Sequence, residues 1–197
     1  MNPYSARSYN VVMIGESFVG KTTIANMLCH ETFSTNYTPT IGASMLKIPY
    51  DEKDSTSFFY ILDTAGMEKY RSLAPAYYRD SSACLLVYDV TNSESFENLP
   101  NWYKLYREHA SPYAPCLIIG NKIDLEEERK VDEKEGRNFA ERNNCQFLEV
   151  SAKDGKNLHQ IIPLISDSLE NVSRSTNSSS TYSLGNENQS KDSSHCC

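Results

Sequence analysis

Five apolar runs recur along the chain: YNVVMIG, SFFYILD, ACLLVYDV, PCLIIGN and CQFLEV. Each is short and rich in β-branched or aromatic residues, which predicts strands. Helically spaced segments follow them: KTTIANMLCH, a polar stretch ending APAYYRD, SFENLPNWYKLYREH, VDEKEGRNFAERN and NLHQIIPLISDSLENV. Strand and helix in alternation predict βα units, hence an α/β fold with a mostly parallel sheet and helices on both faces. ASMLKIPYD breaks the alternation. Only the polar EKDST separates it from SFFYILD, so the two should pair antiparallel and bring the sheet to six strands.

Leu158, Ile161, Ile162, Ile165 and Leu169 form one apolar stripe, and Asp132 with Glu135 resembles a capping box. Pro100 and Pro163 fall inside helical patterns, where each should kink or delay its helix. From Asn171 the stripe stops and Ser, Asn and Thr dominate, too polar to offset the entropy of ordering. The expected organisation is an extension over residues 1–8, one domain over 9–170 and a flexible tail over 171–197.

Composition narrows the function. With 197 residues, a net charge of −7 and a pI near 5.1, the chain lacks the basic excess of a nucleic-acid binder. Its N-terminus has no apolar signal core and its apolar runs are too short to cross a bilayer, so it is expected to start soluble and cytosolic. Cys29, Cys84, Cys116 and Cys145 sit singly among apolar neighbours and read as buried thiols. Cys196 and Cys197 are adjacent, last in the chain, and preceded by polar residues that could not bury them.

The chemistry begins at GESFVGKTT. Gly15-x-x-x-x-Gly20-Lys21-Thr22 lies between a strand-like and a helix-like run, the context in which glycines let backbone N–H groups converge on phosphate oxygens. Lys21 then reaches the β and γ phosphates and Thr22 offers a hydroxyl to Mg²⁺. Phosphate alone leaves adenine or guanine open. Asn121-Lys122-x-Asp124, after the strand PCLIIG, closes the choice: a carboxylate can accept from N1–H and the 2-amino group of guanine, which adenine lacks.

These residues resemble the Ras superfamily and, within it, the Rab GTPases. The similarity covers Tyr9 to Glu170 and resumes at the last two cysteines; GESFVGKTT, YTPTIG, DTAG, YYRD, LVYDVT, NKID and SAK occur in the family's order. GES, SLAP-x-YYR and HASP are most similar to the early-endosomal branch. The resemblance implies a single P-loop GTPase domain that binds GTP and GDP with Mg²⁺ and works as a switch in vesicle traffic. It implies that Gly15, Ser17, Phe18, Val19, Gly20, Lys21, Thr22 and Thr23 surround the phosphates, with Thr22, Thr40 and Asp63 around the metal. Phe33 is then expected against the guanine, Tyr37 as a lid, and the Gly66 N–H on the γ-phosphate, with Lys21, Thr40, Gly66 and position 67 serving hydrolysis. Asn121, Lys122 and Asp124, with Ser151, Ala152 and Lys153, are expected around the base.

The chain departs from the family where its chemistry is sharpest. Met67 stands where the family has the glutamine that orients the attacking water, and a thioether cannot donate a hydrogen bond, so hydrolysis is expected to be slow. Phe18 replaces a small residue and adds bulk beside the nucleotide. On the effector surface, with Ile41 and Gly42, the family's aromatic trio becomes Met45, Leu62 and Tyr77. The ending His195-Cys196-Cys197 is similar to the doubly geranylgeranylated Rab terminus, whose two lipid chains anchor stably where one does not. Effector, exchange-factor, activating and lipid-masking proteins are the implied partners. The implied location is the cytoplasmic face of endosomal or other vesicular membranes, cycling with the cytosol. Two rival readings stand beside this one: a GTP-bound scaffold that hydrolyses nothing, favoured by Met67, and a P-loop kinase or ATPase, opposed by NKID and the terminal cysteines.

Overall fold

The computed structural model describes residues 7–30, 43–51, 54–64 and 74–179. Strand β1 (Ser8–Ile14) occupies the middle of a six-stranded sheet because both of its faces are apolar. Val11 and Met13 point into one hydrophobic cluster, Val12 and Ile14 into another, and none exceeds 1% exposure. Burying each such side chain stabilises by roughly 1.5–3 kcal/mol, which a strand at the sheet's edge would largely forgo.

The sheet order is β2-β3-β1-β4-β5-β6. β3 (Asp54–Thr64), β4 (Ala83–Asp89), β5 (Cys116–Asn121) and β6 (Gln146–Val150) run parallel to β1. β2 (Ala43–Asp51) pairs antiparallel with β3, with Met45 opposite Leu62 and Lys47 opposite Tyr60. This is the expected hairpin, although β3 starts at Asp54 rather than at Ser57, so strand pairing takes in most of the polar turn. Pro49, which cannot donate to a ladder, sits in the edge strand beside a register shift.

Helices α1 (Lys21–His30) and α6 (Ile161–Ser179) cover one face; Ile24, Ala25, Ile161, Ile165 and Leu169 enter that cluster. α2 (Ala74–Arg79), α3 (Ser93–Glu97), α4 (Leu99–His109) and α5 (Glu133–Arg142) lie on the other, contributing Tyr78, Leu99, Trp102, Tyr106 and Ala140. The capping box at α5 is present: Asp132 accepts from the Lys134 N–H, and the Glu135 carboxylate accepts from the Asp132 N–H.

One expectation needs correction. SFENLPNWYKLYREH is two helices, because Asn98 caps α3 and opens α4, placing Pro100 in a first turn that has no N–H to lose. Pro163 delays its helix, one of the two outcomes expected: residues 158–160 form a single 3₁₀ turn and α6 begins only at Ile161. α6 continues past Asn171 to Ser179, with Arg174 paired to Glu170 one turn back, so helix outlasts the apolar stripe. Of the thiols, Cys84 and Cys116 are buried, whereas Cys29 and Cys145 are half-buried. Among the described residues no helix is long and apolar enough to cross a membrane.

The packing of α5 on the sheet depends on Gly136. A Cβ there would come within 2.4 Å of the Tyr88 hydroxyl and 2.6 Å of the Phe147 ring. Alanine raises helix propensity by about 1 kcal/mol, but overpacking a buried contact costs about 1–3 kcal/mol. Gly136→Ala is therefore expected to lower the urea midpoint at fixed nucleotide concentration; a raised midpoint would show that the Tyr88 ring moves aside freely.

Candidate functional site

The chain leaves β1 at the point where the sheet order reverses, with β3 on one side of it and β4 on the other. Crevices at such switch points are where open α/β sheets bind ligands. The loop between β1 and α1 takes an unusual path: Gly15, Phe18 and Gly20 have φ of 138°, 67° and 94°. At Gly15 nothing larger fits, since a Cβ would meet the Val87 carbonyl oxygen at 2.1 Å. Phe18 takes a left-handed conformation unfavourable for a bulky residue, and its ring is 68% exposed.

Lys21 is only 6% exposed, and its Nζ donates to the carbonyls of Gly15 (2.9 Å) and Glu16 (2.6 Å). Burial lowers its pKa to about 8, against the upward pull of Asp63 and Glu16. The Thr22 hydroxyl donates to Asp63 Oδ2 at 2.6 Å, and Asp63 is fully buried. A carboxylate and a hydroxyl in contact beside a buried ammonium are the hard oxygen donors that suit Mg²⁺ with a phosphate, so these residues fit that group.

The second half of the site forms at the end of β5. Asn121 is buried; its Nδ2 donates to the Val19 carbonyl (2.8 Å) and its Oδ1 accepts from the Ala152 N–H (3.1 Å). One side chain thus joins the phosphate loop to the loop after β6. Lys122, at φ 71°, pairs with Asp89 at 2.5 Å. The Asp124 carboxylate, 9% exposed, accepts from the Ser151 hydroxyl at 2.8 Å, with Lys153 Nζ 3.7 Å away. A nearly buried carboxylate held by neighbours on one side retains lone pairs for a ligand presenting two adjacent N–H donors.

The sequence profile of the Ras family matches residues 10–171. "Ras-related protein Rab-22A" of Homo sapiens is 39% identical over 160 residues, 81% of this chain and 82% of that protein. The mouse and dog proteins of the same name, at 38% and 39% identity, match with the same coverage. The chain is a Rab-type member of the Ras family. Proteins of this family are GTP hydrolases that bind GTP or GDP with Mg²⁺.

Of the Rab-derived expectations, Gly15, Ser17, Phe18, Val19, Gly20, Lys21, Thr22 and Thr23 lie in the loop after β1 and the first residues of α1, and Asp63 contacts Thr22 there. Asn121, Lys122, Asp124, Ser151, Ala152 and Lys153 gather at the second half of the site. Met45 and Leu62 are cross-strand partners, Met45 65% exposed, and Leu62 and Tyr77 both pack against the second core cluster. Phe33, Tyr37, Thr40, Ile41, Gly42, Gly66, Met67, Cys196 and Cys197 lie outside the described residues.

Two contributors escaped the sequence. Asp89 lies within LVYDVT, a motif noticed without a role; its carboxylate accepts from the Thr91 N–H and hydroxyl while pairing with Lys122. Glu16, inside the phosphate loop, accepts from the Trp102 indole at 2.9 Å across 86 residues of chain, and no local pattern announces that contact.

The Lys21 shift has a pH signature. In the folded chain its pKa of about 8 lies below the ordinary 10.5, so the ammonium persists below pH 8 and is lost above it unless phosphate raises the pKa again. GDP affinity is thus expected to be flat from pH 6.5 to 7.5 and to fall by up to about tenfold between pH 8 and 9, one proton being linked to binding. Fluorescent-GDP titrations across that range test this, and a flat profile to pH 9 would mean that Lys21 keeps its proton throughout that range or makes no phosphate contact.

Proposed function

We propose that this chain is a guanine-nucleotide switch that binds GTP and GDP with Mg²⁺, engages partners in its GTP state, and acts in vesicle traffic on the cytoplasmic face of endosomal or other intracellular membranes. The observation that carries the proposal is the meeting of two halves: the loop of Lys21 and Thr22 and the loop of Asp124, joined by Asn121 through Val19 and Ala152. Phosphate is bound at the first and guanine at the second. Likeness to proteins named Rab-22A supports the trafficking role.

In this reading the N–H groups of the phosphate loop and Lys21 hold the phosphates, Thr22, Thr40 and Asp63 hold Mg²⁺, and Gly66 closes on the γ-phosphate. Phe33 lies against the base, with Tyr37 as lid. Ile41, Gly42, Met45, Leu62 and Tyr77 meet effectors. Met and Leu fill apolar contacts without offering the aromatic anchors typical of hot spots, so the chain's effectors differ from those of an aromatic-bearing Rab. Prenyl groups on Cys196 and Cys197 hold the membrane, since the chain beyond Asn171 carries only Arg174, Lys191 and His195 as basic side chains. Exchange, activating and lipid-masking proteins complete the cycle.

Met67 makes the switch slow by itself and favours a second reading, a scaffold that stays GTP-bound and reverses only by nucleotide exchange. The nucleotide extracted from purified protein distinguishes them: mostly GDP for the switch, mostly GTP for the scaffold.

Two substitutions test the assignments. Asp124→Asn should weaken GTP strongly and improve xanthosine triphosphate, whose C2 oxygen can accept from the amide; competition binding that finds ATP equal to GTP in the wild type would refute the guanine assignment. Met67→Gln should raise single-turnover GTP hydrolysis about 10- to 100-fold, the worth of a water-orienting contact of about 1.4–2.8 kcal/mol, and leave GTP dissociation nearly unchanged. A substitution without effect on hydrolysis would mean that another group orients the water.

A further inference from the structure

The phosphate loop is held from outside at two places. Asn121 reaches Val19 near its end, and Trp102, on α4, reaches Glu16 near its start. Between these anchors lies Phe18 in the left-handed conformation, with Gly15 and Gly20 at positive φ on either side. Such a path persists only where the surroundings over-determine it. Asn121 belongs to the proposed base site, whereas Trp102 has no part in the nucleotide reading above.

We propose that Trp102 is a positioning residue for the phosphate loop: its indole N–H holds Glu16, and through Glu16 the start of the loop, in the conformation that retains nucleotide. The inference rests on the guanine-nucleotide reading above. Glu16 is suited to pass the constraint on, because its carbonyl accepts from Lys21 Nζ at 2.6 Å while its carboxylate accepts from Trp102 at 2.9 Å. The donor is itself fixed. Trp102 is 4% exposed, and one turn further along α4 the Tyr106 hydroxyl lies 3.2 Å from Ser81 Oγ, its ring edge-on to Tyr78 at 5.6 Å. A hydrogen bond to a charged, partly buried acceptor is strong enough to set a rate, at about tenfold for its loss.

The test follows release of fluorescent GDP from the full-length, Mg²⁺-loaded protein into excess unlabelled GDP. Trp102→Phe keeps an aromatic ring and removes the N–H; Glu16→Ala removes the acceptor; Glu16→Gln keeps an acceptor oxygen. Trp102→Phe and Glu16→Ala should each release GDP about tenfold faster than wild type, their combination no faster than either alone, and Glu16→Gln close to wild type. Trp102→Phe at the wild-type rate, or a combination near 100-fold, overturns the proposal. Should Trp102→Phe not fold, Glu16→Ala releasing no faster than Glu16→Gln overturns it equally. A wild-type chain that retains no guanine nucleotide defeats both this inference and the reading beneath it, whereas retention with all variants at the wild-type rate defeats the inference alone.

Discussion

The backbone between Ile14 and Lys21 has almost no freedom of path. A side chain on Gly15 would strike the Val87 carbonyl of β4, and one on Gly20 would strike the Asn121 amide at the end of β5, at 2.1 and 2.3 Å. The loop therefore passes in contact with β4 and with the end of the next strand, β5, and the alignment of those two strands decides where its N–H groups point. That alignment is in turn set by parallel pairing, Ile14 opposite Leu86 and Asp89 opposite Asn121. Slipping β4 or β5 by one residue would swap which side chains enter each core cluster, so the register is held by the full apolar content of two faces.

Among the described residues, charged side chains within this frame have polar or charged partners. Lys21 lies among carbonyls with Asp63 and Glu16 nearby, Lys122 pairs with Asp89, and Arg129 meets Glu149 through two parallel bonds at 2.8 and 3.0 Å. An isolated charge in these positions would cost several kcal/mol, so each pair fixes geometry as well as neutralising a cost. The Arg129–Glu149 pair ties the segment after β5 to β6. It thereby steadies the two loops, at Asp124 and Ser151, that meet in the second half of the site. Phe18, in the loop after β1, is 68% exposed.

Most of the architecture was legible because its signals are local. Runs such as ACLLVYDV carry apolar residues on both strand faces and so declare a central parallel strand, and the short EKDST linker excluded a crossover. The misplaced boundaries share one cause. Proline and polar tails act through the first and last turns of a helix, where missing N–H donors and i,i+4 pairs, invisible to an apolar count, decide where helix begins and ends. Pro100 and Pro163 sit in the first turns of their helices, and the Arg174–Glu170 pair lies where no apolar stripe remained.

What the sequence by itself determined is the chemistry available: a glycine-framed loop with a lysine and a threonine, and a carboxylate suited to two adjacent donors. These depend on residue type and short spacing, which a linear reading can see. Only the tertiary structure decided how the groups meet, because the contacts that unite them span long stretches of chain. Asn121 touches Val19 across 102 residues, Thr22 touches Asp63 across 41, and Trp102 touches Glu16 across 86. Packing of the sheet and its helices, not the identity of either partner, brings such pairs within 3 Å.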